Sequence, residues 1–129
     1  MGEVVAVASQ KGGVGKTTTS INLGTSLAIL DYKTLLVDMD PQGSIAASFQ
    51  LNEAKVKKGM FQVFSENIPL SEALLDIGFE DLHIVPSNVY SEIEEIEFFR
   101  YAMNFQLLKK VLSPFKNIYD YILDKYFQQ

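Results

Sequence analysis

The sequence predicts an α/β protein, a three-layer sandwich of helices around a mostly parallel sheet. Two observations predict it. Short apolar runs with the look of strands covered on both faces alternate with stretches of helical spacing. The first such pair, Val4-Val5-Ala6-Val7-Ala8 and a helix over residues 17–30, is joined by a glycine cluster and followed by a second buried run, a βαβ unit with a right-handed crossover. Apolar residues are 47% and charged residues 21% of the 129, so one folded domain with a real core is expected.

Taken in order, the first strand ends at Lys11-Gly12-Gly13-Val14-Gly15-Lys16. Ile21, Leu23, Leu27, Ala28 and Leu30 then recur at helical spacing, and Asp31-Tyr32-Lys33 turns the chain into a strand at 34–37 that ends on Asp38. Pro41-Gln42-Gly43 is a turn, residues 44–49 a short helix, and 52–58 a polar loop. Residues 61–64 and 71–75 read as helical turns, the second with Ser71 as N-cap. Residues 81–85 are a third strand closed by Pro86-Ser87-Asn88. An amphipathic helix follows at 91–99, another at 104–112 with Pro114 past its end, and a fourth strand at 119–123.

Composition removes whole classes of chemistry. Without cysteine there is no disulfide, thiolate zinc site, cysteine nucleophile or cysteine-held cluster, and a single histidine excludes a histidine-rich metal site. His83, inside an apolar strand, reads as structural. Net charge −5 opposes nucleic-acid or anionic-membrane binding by bulk electrostatics. No apolar run reaches the ~20 residues of a membrane span, and the start lacks the basic region of a secretory signal. A cytoplasmic protein is expected. Glu92, Glu94, Glu95 and Glu97 read as a solvated helix face, and Phe98, Phe99, Tyr101 and Phe105 as core or interface.

The glycine cluster carries the functional signal. Gly12, Gly13 and Gly15 between a strand and a helix let consecutive N–H groups face one concavity, and the helix N-terminus beyond adds positive potential. Such a cradle holds a di- or triphosphate, with Lys16 reaching the β- and γ-phosphates and the Thr17 hydroxyl on magnesium. The strict G-x-x-x-x-G-K-[ST] pattern fails because Gln10 stands where its first glycine belongs. A second lysine, Lys11, stands beside it. Asp38 and Asp40, two apart at a strand end, can both face the cradle from the edge where open parallel sheets bind ligands.

At these residues the chain resembles the deviant Walker A class of P-loop NTPases, which includes ParA-type (Soj-like) partition ATPases and MinD-type ATPases. Leu36-Val37-Asp38-Met39-Asp40-Pro41-Gln42-Gly43 is similar to the ParA switch segment, Val85-Pro86-Ser87-Asn88 to the end of the third strand, and Tyr119-Asp120-Tyr121-Ile122 to the start of the Walker B strand. The resemblance implies ATP or ADP with Mg²⁺ as ligands, held by Lys11, Gly12, Gly13, Val14, Gly15, Lys16, Thr17 and Thr18, with Thr18 near the α-phosphate. It implies Lys11 acting across an ATP-dependent homodimer, Lys16 on the transferred phosphoryl, Asp40 on the attacking water, and Thr17, Asp38 and Asp124 around the metal. Gln42 and Gly43 belong to a segment that senses the γ-phosphate.

Within this class, the absence of cysteine excludes the iron–sulfur members. Asp40-Pro41-Gln42, with no basic amphipathic helix at the end, follows the partition pattern rather than the membrane-attached one. The resemblance then implies a ParB-like centromere-binding partner, non-specific DNA for a full-length member but weak DNA binding for this chain, no membrane, and nucleoid association within the cytoplasm. Residues 1–129 match only the N-terminal portion of the ParA-type ATPase domain, an incomplete fold that suggests a frameshift, an early stop or deliberate truncation. In the family an aspartate and then prolines close the Walker B strand. Here Leu123-Asp124 comes one residue early, and one missing residue swaps faces for everything beyond it, so the sequence alone leaves open whether Asp124 is the Walker B aspartate. By the family's topology this fourth strand lies between the second and the first, leaving the first as an unpaired edge. A nucleotide-binding remnant without turnover and a P-loop kinase or synthetase are the alternative readings.

Overall fold

The computed structural model describes residues 2–7, 14–51 and 56–126, with the backbone alone for 14–18. Five strands, β1 (Glu3–Val7), β2 (Thr34–Met39), β3 (Leu75–Asp76), β4 (Leu82–Val85) and β5 (Tyr121–Tyr126), form one sheet in the order β1-β5-β2-β4-β3. All neighbours are parallel except the two-residue β3, which runs antiparallel to β4. The expected placement of the last strand between the first two is therefore found, and β1 pairs on one side only.

Helix α1 (Val14–Ile29) and the short α2 (Ser44–Ser48) cover one face, and α3 (Met60–Ser65), α4 (Glu92–Ala102) and α5 (Phe105–Leu112) the other. Strand alternation sorts the side chains between them. Leu35, Val37, Met39, Val85 and Ile122 pack with Met60, Phe61, Phe98, Leu108 and Leu112, while Leu36, Ile84 and Leu123 pack with Ala28 and Ile45. β2 is buried at all six positions, as a central parallel strand must be. The aromatic residues expected as core or interface divide: Phe98 is fully buried against Phe61 and Phe64, whereas Phe105 is exposed and its ring meets Tyr126.

Local signals explain the helix starts. Ser91 caps α4 by accepting from the Glu94 N–H, and Glu94 reaches back to the Tyr90 N–H. Asn104 caps α5 in the same way through the Leu107 N–H. Ser71 does not cap a helix. It lies inside a 3₁₀ turn (Leu70–Ala73) that follows Pro69, and Leu75, expected in that turn, pairs with Ile84 instead. The last strand begins two residues later than expected, because Tyr119 is drawn out to meet His83, its hydroxyl 2.7 Å from Nδ1. That contact gives His83 the structural role its setting suggested.

Helix α1 approaches the sheet closely at Gly24, where an added Cβ would sit 2.8 Å from Leu36 Cδ2. Leu36 is fully buried and has nowhere to retreat. Gly24→Val is expected to lower stability by about 1–3 kcal/mol through overpacking, read as a lower midpoint in urea denaturation.

Candidate phosphate and carboxylate site

The site is built where parallel strands end. β1 stops at Val7 and α1 starts at Val14, so the glycine cluster spans the crossover from strand end to helix N-terminus. Lys11, Gly12 and Gly13 lie outside the described residues. Val14, Gly15, Lys16, Thr17 and Thr18 form the first turn of α1, where only the backbone is described.

Beside this crossover the second strand delivers its carboxylates. Asp38 is fully buried on the α1 face of β2. Its Oδ1 accepts the Asp40 N–H at 3.1 Å and its Oδ2 the Ile45 N–H at 3.3 Å, tying the strand end to α2. Asp40 follows as an Asx turn, Oδ1 accepting the Gln42 N–H at 2.9 Å. The chain reverses through Gly43 at φ 67°, ψ 32°, a left-handed conformation that suits glycine. Gln42 reaches away, its amide donating to Glu95 Oε1 on α4 at 3.1 Å. The turn Pro41–Gln42 and helix α4 enclose a cleft of about 580 Å³. None of Asp38, Asp40 or Lys125 lines it.

Lys125, which sequence reasoning passed over, completes the group. It pairs in register with Asp38 across β2 and with Val7, the last residue of β1, on its other side. Its ammonium is fully buried, 3.2 Å from Asp40 Oδ2 and 3.9 Å from Asp38 Oδ1. The signal was available: if Asp124 comes one residue early, the next residue takes the site face. Asp124 is not brought to this group. It lies on the α5 face of β5, where Tyr126 donates to it and its Oδ1 has no partner.

Burial sets the electrostatics. It pushes Asp38 up from 3.8 to about 6, with the Lys125 ammonium the largest influence pulling the other way. Burial likewise pushes Asp124 up from 3.8 to about 6 against the Tyr126 hydrogen bond. The Tyr126 hydroxyl is raised in turn, by burial first and then by the Asp124 charge.

The residues described here do not fit the magnesium arrangement that the sequence resemblance implies. Each oxygen of Asp38 and Asp40 already has a partner within the chain, one of them a cation, and Asp124 faces the other side of the sheet. Among the described residues no group of three or more His, Asp or Glu side chains could hold a metal ion.

A mostly parallel sheet with helices on both faces, and a carboxylate pair at the carboxyl end of its central strand, defines an α/β fold of the P-loop NTPase class. A family described as an AAA domain matches residues 2–125, and the chain belongs to that family. It is 35% identical over 123 residues to the sporulation initiation inhibitor protein Soj of Bacillus subtilis (95% of this chain, 49% of that one). It is 34% identical over 123 residues to the chromosome partitioning protein ParA of Myxococcus xanthus (95% and 44%). Several solved structures share the fold. A plasmid partition protein of Borrelia burgdorferi has TM-score 0.72 at 27% identity, covering 98% of this chain and 57% of that one. The septum site-determining protein MinD of Pyrococcus horikoshii, complexed with Mg-ADP, has TM-score 0.78 at 27% identity, with coverage of 96% and 48%. Cobyrinic acid a,c-diamide synthase of Mycobacterium smegmatis, with bound ATP analogue and magnesium, has TM-score 0.81 at 30% identity, with coverage of 96% and 49%. The chain spans about half the length of the curated relatives it matches.

The Asp124 carboxyl binds its proton more tightly folded than unfolded. Its contribution to stability is therefore complete below 3.8 and lost as pH rises through about 6. Asp124→Asn is expected to stabilise the protein by about 1–3 kcal/mol near neutral pH, with the gain vanishing in acid. Paired denaturation curves across that pH range check it.

Proposed function

We propose that the chain is the N-terminal portion of a ParA-type ATPase domain that binds ATP or ADP on the segment Lys11–Thr18. One observation carries this reading: across β5, Asp38 of β2 stands level with Val7, the end of β1, with Asp40 just beyond the strand. From Val7 the chain goes on through the glycine cluster to the start of α1. The charge logic follows. Consecutive backbone N–H groups, the α1 N-terminus and Lys16 would draw the phosphates, with Lys16 supplying the positive charge near the β-phosphate. Thr17 and Thr18 would orient them. The partition relatives support a role in plasmid or chromosome segregation, with nucleotide-dependent dimerisation, Lys11 reaching a partner's phosphates, DNA association and a ParB-like partner as properties of a full-length protein. A cytoplasmic, nucleoid-associated location goes with that role. Among the described residues no helix is long and apolar enough to cross a membrane.

Binding without turnover is the second reading, and a specific contact favours it. Asp40, the residue proposed to place the attacking water, spends one oxygen on the Gln42 N–H and the other on Lys125. The present chain should therefore show little ATP turnover and no stimulation by DNA, for which net −5 offers no attraction. Robust DNA-stimulated turnover from a soluble sample would reverse this.

Lys16→Ala removes a charge-assisted phosphate contact worth at least ~1.5–3 kcal/mol, so nucleotide affinity should fall more than about tenfold. Equal affinity of the two proteins in titration calorimetry would remove the phosphate-loop assignment.

A further inference from the structure

The disagreement between Lys125 and a magnesium site has a positive content. In the register of the sheet Lys125 is the residue of β5 that faces the acid pair, midway between the strand that leads to the glycine cluster and the strand that carries the aspartates. Its Nζ is buried with no hydrogen bond of good geometry, held by the two carboxylates at 3.2 and 3.9 Å. An ammonium in water would be fully solvated, so this one is retained only because the carboxylates compensate it. The carboxylates are occupied in return. Asp38 Oδ2 holds the Ile45 N–H, Asp38 Oδ1 the Asp40 N–H, Asp40 Oδ1 the Gln42 N–H, and Asp40 Oδ2 faces the ammonium. A divalent cation with its water shell would have to displace a tethered charge of like sign from a closed space.

We propose that Lys125 is a built-in counter-cation, taking at the acid pair the place that a hydrated divalent metal would take, so that this chain binds nucleotide without needing one. The ammonium supplies single rather than double positive charge, fixed by the β5 backbone instead of arriving with the ligand. Asp38 and Asp40 then act as anchors of the turn through Gly43, not as partners of a metal's waters. The proposal rests on the nucleotide-binding reading for one of its two measurements, and the other is independent of it.

The first measurement is calorimetric affinity for ADP and ATP, on the intact chain, with magnesium and with EDTA. The two affinities should agree within about threefold. A loss of about tenfold or more in EDTA overturns the proposal. The second uses Mn²⁺ alone as probe, followed by electron paramagnetic resonance without nucleotide. Wild type should leave the ion free in solution, whereas Lys125→Gln, with its acid pair uncovered, should bind it and release it on the further change Asp38→Asn. Mn²⁺ bound by wild type and released by Asp38→Asn overturns the proposal as well. Should nucleotide fail to bind under any condition, the phosphate-loop reading falls while the Mn²⁺ comparison still decides the role of Lys125. Should Lys125→Gln fail to fold, the two wild-type measurements decide it alone.

Discussion

Three charges with no access to water sit at the carboxyl end of the central strands, and their mutual compensation is what permits the surrounding turn to exist. Isolated, any one of them would cost several kcal/mol to bury. Together, Asp38, Asp40 and Lys125 neutralise much of that cost and fix three backbone N–H groups besides. The geometry depends on pairing β2 with β5, since only that register sets Lys125 opposite Asp38. Sheet order and site electrostatics are therefore one constraint seen at two scales.

The two faces of the sheet divide the labour. On the α3–α5 face, long apolar and aromatic side chains make a dense core, into which Asp124 with Tyr126 and His83 with Tyr119 bring polar groups. On the α1–α2 face Gly24 lets α1 come close to Leu36. Asp38 and its counter-cation Lys125 lie on this face, at the carboxyl end of β2. Gln42 bridges the two faces, leaving the turn to touch Glu95 of α4. A change in the turn would thereby reach the far layer through one side chain.

Much of this was legible in the residues. Leu35-Leu36-Val37 is apolar and buried on both faces, as a covered parallel strand requires. The equally apolar Val4-Val5-Ala6-Val7, expected to be covered too, is exposed or half-buried at the sheet edge. Ser91 and Asn104 announce their helices by the side-chain oxygens that cap them. The acid pair was legible because i and i+2 share a strand face. Leu75 was misread because a two-residue strand has no period to detect, and its pairing with Ile84 is set by the sheet edge rather than by local preference. Lys125 was passed over for a different reason. Lysine is seldom buried, so a lysine near a chain end reads as solvated unless its strand is counted residue by residue against Asp38. Asp124 shows the same point in reverse, an expected ligand whose face depends on a single position of register.

The position of β1 at the sheet edge has a consequence for the order in which the molecule assembles. β1 is the first strand in the chain and its one neighbour, β5, is the last. Every other element lies between them in sequence, so the pairing that anchors the strand leading to the glycine cluster closes the longest loop in the fold. Contacts of such separation form late and slowly. A ribosome would expose β1 without this partner until β5 had been made, its free backbone available to any other extended segment nearby. Folding yield, rather than final stability, is then the quantity most sensitive to the sequence of β5.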